Sequence, residues 1–450
     1  MSFICANCVG EPYLRRLVEE AATPENPCEY CDEGLQSADL WMVATLCDEV
    51  IDTFFEESSH TMAVVHFGRT PAGHDLQETV SELTQMPQAA AQVIAECLGN
   101  LWFDADSGEF RYGDDDPWFV RKQSMAEPLG HAWRAMAESL HSDVRFFNPK
   151  ATELLDRIFG EIAYDCDSEG RPVVILAGPN SPLGTLYRGR VFQTDESLAN
   201  ALSWPERFLG SPAPGIGAAG RMNGQGQPAF YGATTPEICI AEVRPPVGSR
   251  VALAAFEVTR PLRLLDLRRL ASVELRSGAS LFDRATRAAA QRRDFLRTLG
   301  ERLSAPVLPE LQDRDYLVTQ VVADYLAAHD TLNVDGIIYP SAQGRRPGER
   351  VAGDNVVLFR KACEVTDADG AQATADIALW EYEEDGPGRW FNPSILFKER
   401  ETPWHAHRSV HPALRIKRDS LVIHDISAVR YDTKPHSVSG VSSFNDRHYG

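Results

Sequence analysis

Six residues carry polar chemistry in short contexts that suit close approach to a ligand: Arg188, Arg221, Asn223, Tyr231, Glu242 and Ser341. The contexts are Tyr187-Arg-Gly-Arg190, Gly220-Arg-Met-Asn223, Ala229-Phe-Tyr-Gly-Ala233, Ala241-Glu-Val-Arg244 and Tyr339-Pro-Ser-Ala342. Arginines suit a diphosphate, because one guanidinium meets two oxygens with parallel hydrogen bonds. A tyrosine ring offers a stacking face for a base. One carboxylate can accept from ribose hydroxyls and stabilise positive charge developing at an anomeric carbon. The set suits a dinucleotide and cleavage of its glycosidic bond. Glu242, Arg188 and Ser341 are the candidates at the reacting end, and Arg188, Arg221, Tyr231 and Asn223 the candidates that hold the ligand. Each residue also has an ordinary use: arginine on a surface, tyrosine in a strand, glutamate paired locally with Arg244, serine in the turn after Pro340.

These residues span about a third of the chain, so the fold must gather them. Val173–Ala177 reads as a short strand before the turn Gly178-Pro-Asn-Ser-Pro182, and a further strand carries Tyr187, Arg188 and Arg190. A loop dense in Gly and Pro runs over 210–228. Strands are expected near 228–231, 250–258, 262–267, 336–339 and 354–360. Pro236–Val243 reads as a short helix that carries Glu242. Arg-rich helices follow over 280–303 and another over 316–329; the arginines suit solvated faces or pairing with acidic residues elsewhere in the chain. Beyond 365, strands are expected over 377–382 and 420–429, with a mobile tail from 433 to 450.

The N-terminal part has a different texture. Cys5-x2-Cys8 and Cys28-x2-Cys31 are separated by 19 residues, a spacing suited to one tetrahedral four-sulfur zinc site. Such a closed site leaves no coordination position open, so its role is structural. Residues 35–165 read as helical: Leu40, Val43, Ala44, Cys47, Val50, Ile51 and Phe54 recur at helical spacing. A helix near 75–100 is kinked or broken at Pro87, another covers 129–142, and Asn148-Pro149 starts a fourth. An acidic loop lies over 104–118. The domain boundary is expected near 168–182.

The net charge of −21 is concentrated in this part: residues 1–180 hold 32 acidic against 11 basic side chains, and the rest holds 33 of each. So acidic a surface disfavours binding to nucleic acid. No apolar run approaches the length that spans a bilayer, and the expected location is the cytoplasm. The other five cysteines lie in scattered apolar contexts and read as small core residues. Trp404-His-Ala-His407 and His411 lack clean metal-ligand spacing.

Three ordered motifs together resemble the RES domain: Tyr187-Arg188-Gly-Arg190, then Gly220-Arg221 with Tyr231 and Glu242, then Asp335-Gly-Ile-Ile-Tyr-Pro-Ser341. Met222 stands where that family usually has an aromatic residue, and a long insertion separates Arg190 from Gly220. The resemblance implies an ADP-ribosyltransferase-like mixed α/β fold and activity on NAD+ as substrate, by hydrolysis, phosphorolysis or transfer of ADP-ribose. It also implies a toxin under control, through an antitoxin or other regulatory partner, self-association or the N-terminal region. Arg134 and His141 on one helix face resemble the Arg/His pair of HEPN ribonuclease domains. The expected organisation is α+β: a zinc knuckle (1–34) holding Zn2+, a HEPN-like helical bundle (35–168), a RES domain (183–362) and a strand-containing extension (363–450).

Overall fold

The computed structural model describes residues 2–32, 34, 36–58, 72–101, 112, 117–142, 148–274, 280–305, 307–341, 345–346, 349–350, 353–366, 374–384, 386–398, 412–430 and 433–438. Most of the acidic loop, most of the expected tail and the Trp404–His411 segment lie outside them.

The chain opens with Phe3–Ile4 (β1), paired antiparallel with Ala38–Asp39 (β2). Between them runs helix Pro12–Ala21 (α1), whose N-cap Glu11 accepts from Leu14 N. Only Leu14 and Val18 are buried on α1, too thin a stripe to announce a helix. Leu40–Phe54 (α2) is capped by Asp39 and buries the whole apolar stripe read from its sequence. Phe55–Glu57 (β3) and His74–Asp75 (β4) both pair with a later strand, Trp118–Arg121 (β5). Leu76–Thr84 (α3) and Gln88–Leu101 (α4) are divided around Pro87 as expected. Glu127–Ser142 (α5) and Pro149–Phe159 (α6) follow, and Asn148 caps α6 through Ala151 N.

The region 35–165, read as helical, also holds strands: β3, β5 and β4 form a three-stranded sheet there. The Trp-Phe-Val-Arg of β5 has the aromatic and β-branched character that favours strands.

Further along come Val174–Ala177 (β6), Thr185–Phe192 (β7), Asp195–Ser203 (α7) and Pro205–Phe208 (α8). The two helices occupy the insertion after Arg190. Next are Phe230–Ala233 (β8), Pro236–Glu242 (α9), Arg250–Val258 (β9), Leu262–Asp266 (β10) and Leu267–Leu270 (α10). The Arg-rich stretch is one helix, Arg284–Ser304 (α11), and Gln312–Ala328 (α12) follows it. The remaining strands are Gly336–Pro340 (β11), the small pair Arg345–Arg346 (β12) and Glu349–Arg350 (β13), Asp354–Leu358 (β14) and Val365–Thr366 (β15). Thr374–Tyr382 (β16), Arg389–Lys398 (β17) and Leu414–Asp425 (β18) complete the chain.

Two compact units result, each built from three stretches. The first holds Met1–Leu176, Ala218–Gln225 and Arg263–Pro340; the second holds Ala177–Gly217, Gly226–Leu262 and Ser341–Gly450. This division does not coincide with the linear succession of domains read from the sequence. The reason is the apolar faces of α11 and α12, which are covered inside the first unit by α5 and α6. Trp133 meets Phe295 with ring centroids 5.6 Å apart, and Phe159 meets Tyr325 at 6.2 Å. Arginines of α11 pair with acids of the N-terminal stretch, Arg287 with Glu49 and Arg292 with Asp165, as their charge led us to expect. In the second unit six strands lie in the order β15-β18-β9-β7-β8-β14. β7, β9 and β18 run antiparallel in sequence across it, and β16 and β17 pair separately.

Candidate functional site

Glu242 is the last residue of α9, a short helix fixed at its start by Thr235 as N-cap and Pro236 at the first helical position. The helix lies against the second unit's sheet through Ile238 and Cys239, which pack with Tyr187, Ala233 and Leu253. Strand side chains alternate between faces, so Tyr187, Tyr231 and Ala233 all belong to the face that α9 covers. The Glu242 residue itself is exposed. Its Oε1 nevertheless accepts two hydrogen bonds, from Ser341 Oγ at 2.7 Å and from Asn355 Nδ2 at 2.8 Å. Both donors come from buried residues, 5% and 6% exposed.

Arg188 occupies the opposite pleat of β7. Its guanidinium lies 5.0 Å over the Phe230 ring, which itself packs edge-on against Phe256. Nη1 donates to the Tyr231 carbonyl at 2.8 Å. The backbone register between β7 and β8 is a single pair, Tyr187 with Ala233, so this bond adds a side-chain tie where the ladder is short. Burial pulls Arg188 down from the ordinary arginine value to about 10, with Arg190 adding to the effect; it remains a cation at neutral pH. The structure thus brings Tyr231, Glu242 and Ser341 to one face and places Arg188 behind them, in contact with the strand that carries Tyr231.

Arg221 and Asn223 belong to the first unit. Arg221 donates to the carbonyls of Leu303 and Ala305, at 3.0 and 2.8 Å, and lies over the Tyr316 ring. It thereby satisfies orphan carbonyls at the C-terminus of α11. Thr319 and Gln320 bind the Arg221 and Gly220 carbonyls in return. Asn223 is buried and turns its amide to Ala218 O and Gly224 O. The segment that sequence reasoning assigned to the diphosphate is used here to join its own loop to two helices. Met222, the departure from the family pattern, is buried beside it.

Asn355 is the residue that sequence reasoning missed. Its signal was a lone amide in the strand Asp354-Asn-Val-Val-Leu358, but nothing local connects it to a carboxylate 113 positions earlier.

The four cysteines of the N-terminal pairs do converge. The sulfurs of Cys5, Cys8, Cys28 and Cys31 all lie within 4.8 Å of one another. Three separations are 3.7 Å (Cys5–Cys8), 3.5 Å (Cys5–Cys31) and 3.9 Å (Cys8–Cys28). Tetrahedral zinc with Zn–S bonds near 2.3 Å requires about 3.8 Å, so the donor set fits that ion. Cys5 N and Tyr30 N point at the Cys28 sulfur, the kind of outer contact that orients a thiolate. Gly34 is required by the packing, because a Cβ there would come within 2.9 Å of the Cys5 sulfur. Burial pushes the Cys5 and Cys8 thiols above their ordinary value, so a cation would be needed to hold them as thiolates.

Arg134 and His141, the pair that resembled a ribonuclease motif, are exposed on α5. Arg134 is engaged with His131 Nδ1 at 3.0 Å.

Residues 190–382 match the RES domain. The matched segment contains Arg221, Tyr231, Glu242, Ser341 and Asn355, and begins two residues after Arg188. It ends 20 residues beyond the limit expected from the motifs, and it does not extend to the four-cysteine region or to α1–α6. No curated protein and no solved structure matches the chain. Among the described residues no helix is long and apolar enough to cross a membrane.

Proposed function

We propose that this protein consumes NAD+, breaking the bond between nicotinamide and ribose at Glu242. The observation that carries the reading is that Glu242, an exposed residue at the end of α9, has one carboxylate oxygen held by two donors from buried residues. A surface glutamate gains little stability from such an arrangement, whereas a carboxylate that must meet a developing cation gains preorganisation. The RES match over residues 190–382 supports NAD+ as the substrate in this reading.

In this reading the nicotinamide leaves as a neutral base from a cationic ring, so no strong general acid is required. Glu242 stabilises the oxocarbenium-like ribose and accepts from a ribose hydroxyl. Ser341 holds Glu242 and reaches the ribose side of the site. Tyr231 offers its ring to the base, and Arg188 fixes the strand beneath it. Water or phosphate takes the ADP-ribosyl group. An enzyme that removes NAD+ harms its own cell, so control by a partner protein, by self-association or by the N-terminal region belongs to the same proposal, as does a role as toxin or defence effector.

Incubation of the purified protein with NAD+, with and without phosphate, tests this by product identification. Free nicotinamide with ADP-ribose or its phosphate is expected, and Glu242→Gln should lower the rate at least about 100-fold with an unchanged circular dichroism spectrum. Label from biotinylated NAD+ that remains on protein would instead indicate transfer. A Glu242→Gln protein as active as the parent would remove Glu242 from the chemistry.

A further inference from the structure

Glutamate at a helix end on the surface normally samples several rotamers, because its three side-chain torsions cost entropy to fix. Glu242 is fixed from two directions. One is Ser341, which directly follows β11. The other is Asn355, and its position is itself over-determined. Asp354 N donates to Thr234 Oγ1 at 2.8 Å, and Thr234 N donates back to the Asp354 carbonyl at 2.9 Å. Thr234 immediately precedes Thr235, the N-cap of α9. At Gly353 the chain passes so close to α9 that a Cβ would lie 2.8 Å from Ile238 Cγ1. Register then places Asn355 beside Ala233 on the α9 face. Both ends of the Asn355–Glu242 bond are thus anchored to the same strand-to-helix turn.

The two donors also differ in kind. A serine hydroxyl rotates, and its direction adapts to its neighbours. An asparagine amide is planar, and once its strand is locked its N–H has one direction. Two donors hold Glu242 Oε1, and among the described residues none donates to Oε2.

We propose that Asn355 is the positioning residue for Glu242: it selects Oε1 as the anchored oxygen and presents Oε2 to the ligand. This deepens the NAD+ reading and rests on it for its kinetic consequence. The amide is specifically suited, since an aspartate of the same shape would set two carboxylates against each other, and an alanine would leave Glu242 on the rotatable serine alone.

The test is a double-mutant cycle on the full chain, using Asn355→Ala, Asn355→Asp and Glu242→Gln with NAD+ turnover as readout. Asn355→Ala should lower kcat about 10- to 100-fold while KM changes less than about threefold, the pattern of a lost transition-state interaction. Asn355→Asp, which keeps the packing volume, should lose more. In the Glu242→Gln background Asn355→Ala should change the rate less than about twofold, because its effect passes through Glu242. Full additivity of the two changes, or parental kcat in Asn355→Ala, would overturn the proposal. A second arm does not depend on activity: side-chain relaxation of 13C-labelled glutamate, assigned by Glu242→Gln. Increased Glu242 mobility in Asn355→Ala and in Asn355→Asp supports positioning, and unchanged order refutes it. A parent protein inert toward NAD+ would sink the functional reading while this arm still decides the role of Asn355.

Discussion

Arg188 was selected for its charge and is used for its reach. Its guanidinium is buried against Phe230 and spends Nη1 on the Tyr231 carbonyl. Nε has no hydrogen-bond partner among the described residues, and no carboxylate pairs with it there. Holding such a cation is costly, and replacing buried charges by apolar groups of similar volume is often neutral or stabilising. Arg188→Met keeps the length and removes the donor and charge. The melting temperature should stay within about 4 °C of the parent or rise, while NAD+ turnover falls about tenfold as Tyr231 loses its tie. Calorimetry beside a rate assay separates the two effects: a collapse in stability would show that the arginine holds the sheet itself, and an unchanged rate would detach Tyr231 from the chemistry.

At the scale of elements, what could be read from the sequence was what the chain signals locally. α2 declared itself through seven apolar residues that are all buried, and α6 through Asn148-Pro149 acting as cap and first residue. α9, read as a short helix over Pro236–Val243, forms over Pro236–Glu242 and carries Glu242. The strands β3, β4 and β5 were not, since two to four residues carry no period to detect. α7 and α8 lay hidden in what read as an insertion. Distance in the chain concealed the rest: nothing near Asn355 announces Glu242, and nothing near Arg221 announces the carbonyls of Leu303 and Ala305. The arginines of α11 were legible as charge but not as individual pairs. Arg287 has a side chain only 9% exposed and pairs with Glu49, whereas Arg284 is 82% exposed beside the same carboxylate. Glu49→Ala strands the buried cation, although Arg287 keeps the Leu281 and Phe282 carbonyls. The expected loss is about 2 kcal/mol, below the 3–5 of a fully buried pair. Arg284→Ala should cost less than about 0.5 kcal/mol. Urea unfolding of the two variants checks the contrast, and equal losses would contradict the assignment of the energy to burial.

For the whole molecule, the four-cysteine cluster sits at the margin of a core it helps to close. Cys5 is itself buried, and Cys8 and Cys28 pack against a cluster that runs from Ile4, Val9, Leu14 and Val18 through α2 to Phe282 and Ala290. α1 contributes only two buried side chains to that cluster, and β1 and β2 share only two residue pairs. Segments so thinly anchored need a cross-link, and metal binding free energy then becomes folding free energy. The purified protein should carry one zinc per chain by elemental analysis. Chelation, or Cys28→Ser, should expose the 2–39 segment to protease and lower the melting temperature by several degrees. The disturbance should reach α11, because Phe282 and Ala290 lie in the same cluster. Hydrogen exchange would resolve this: faster exchange in α1, α2 and the start of α11 is expected on metal removal, with β7, β8 and β9 of the other unit unchanged. Since the ligands must lose their protons to bind, acidification should release the ion as chelators do. A protein that holds no zinc when produced in zinc-sufficient medium, or whose α1 exchange ignores chelation, would remove the metal from the architecture and leave the four thiols as ordinary packing.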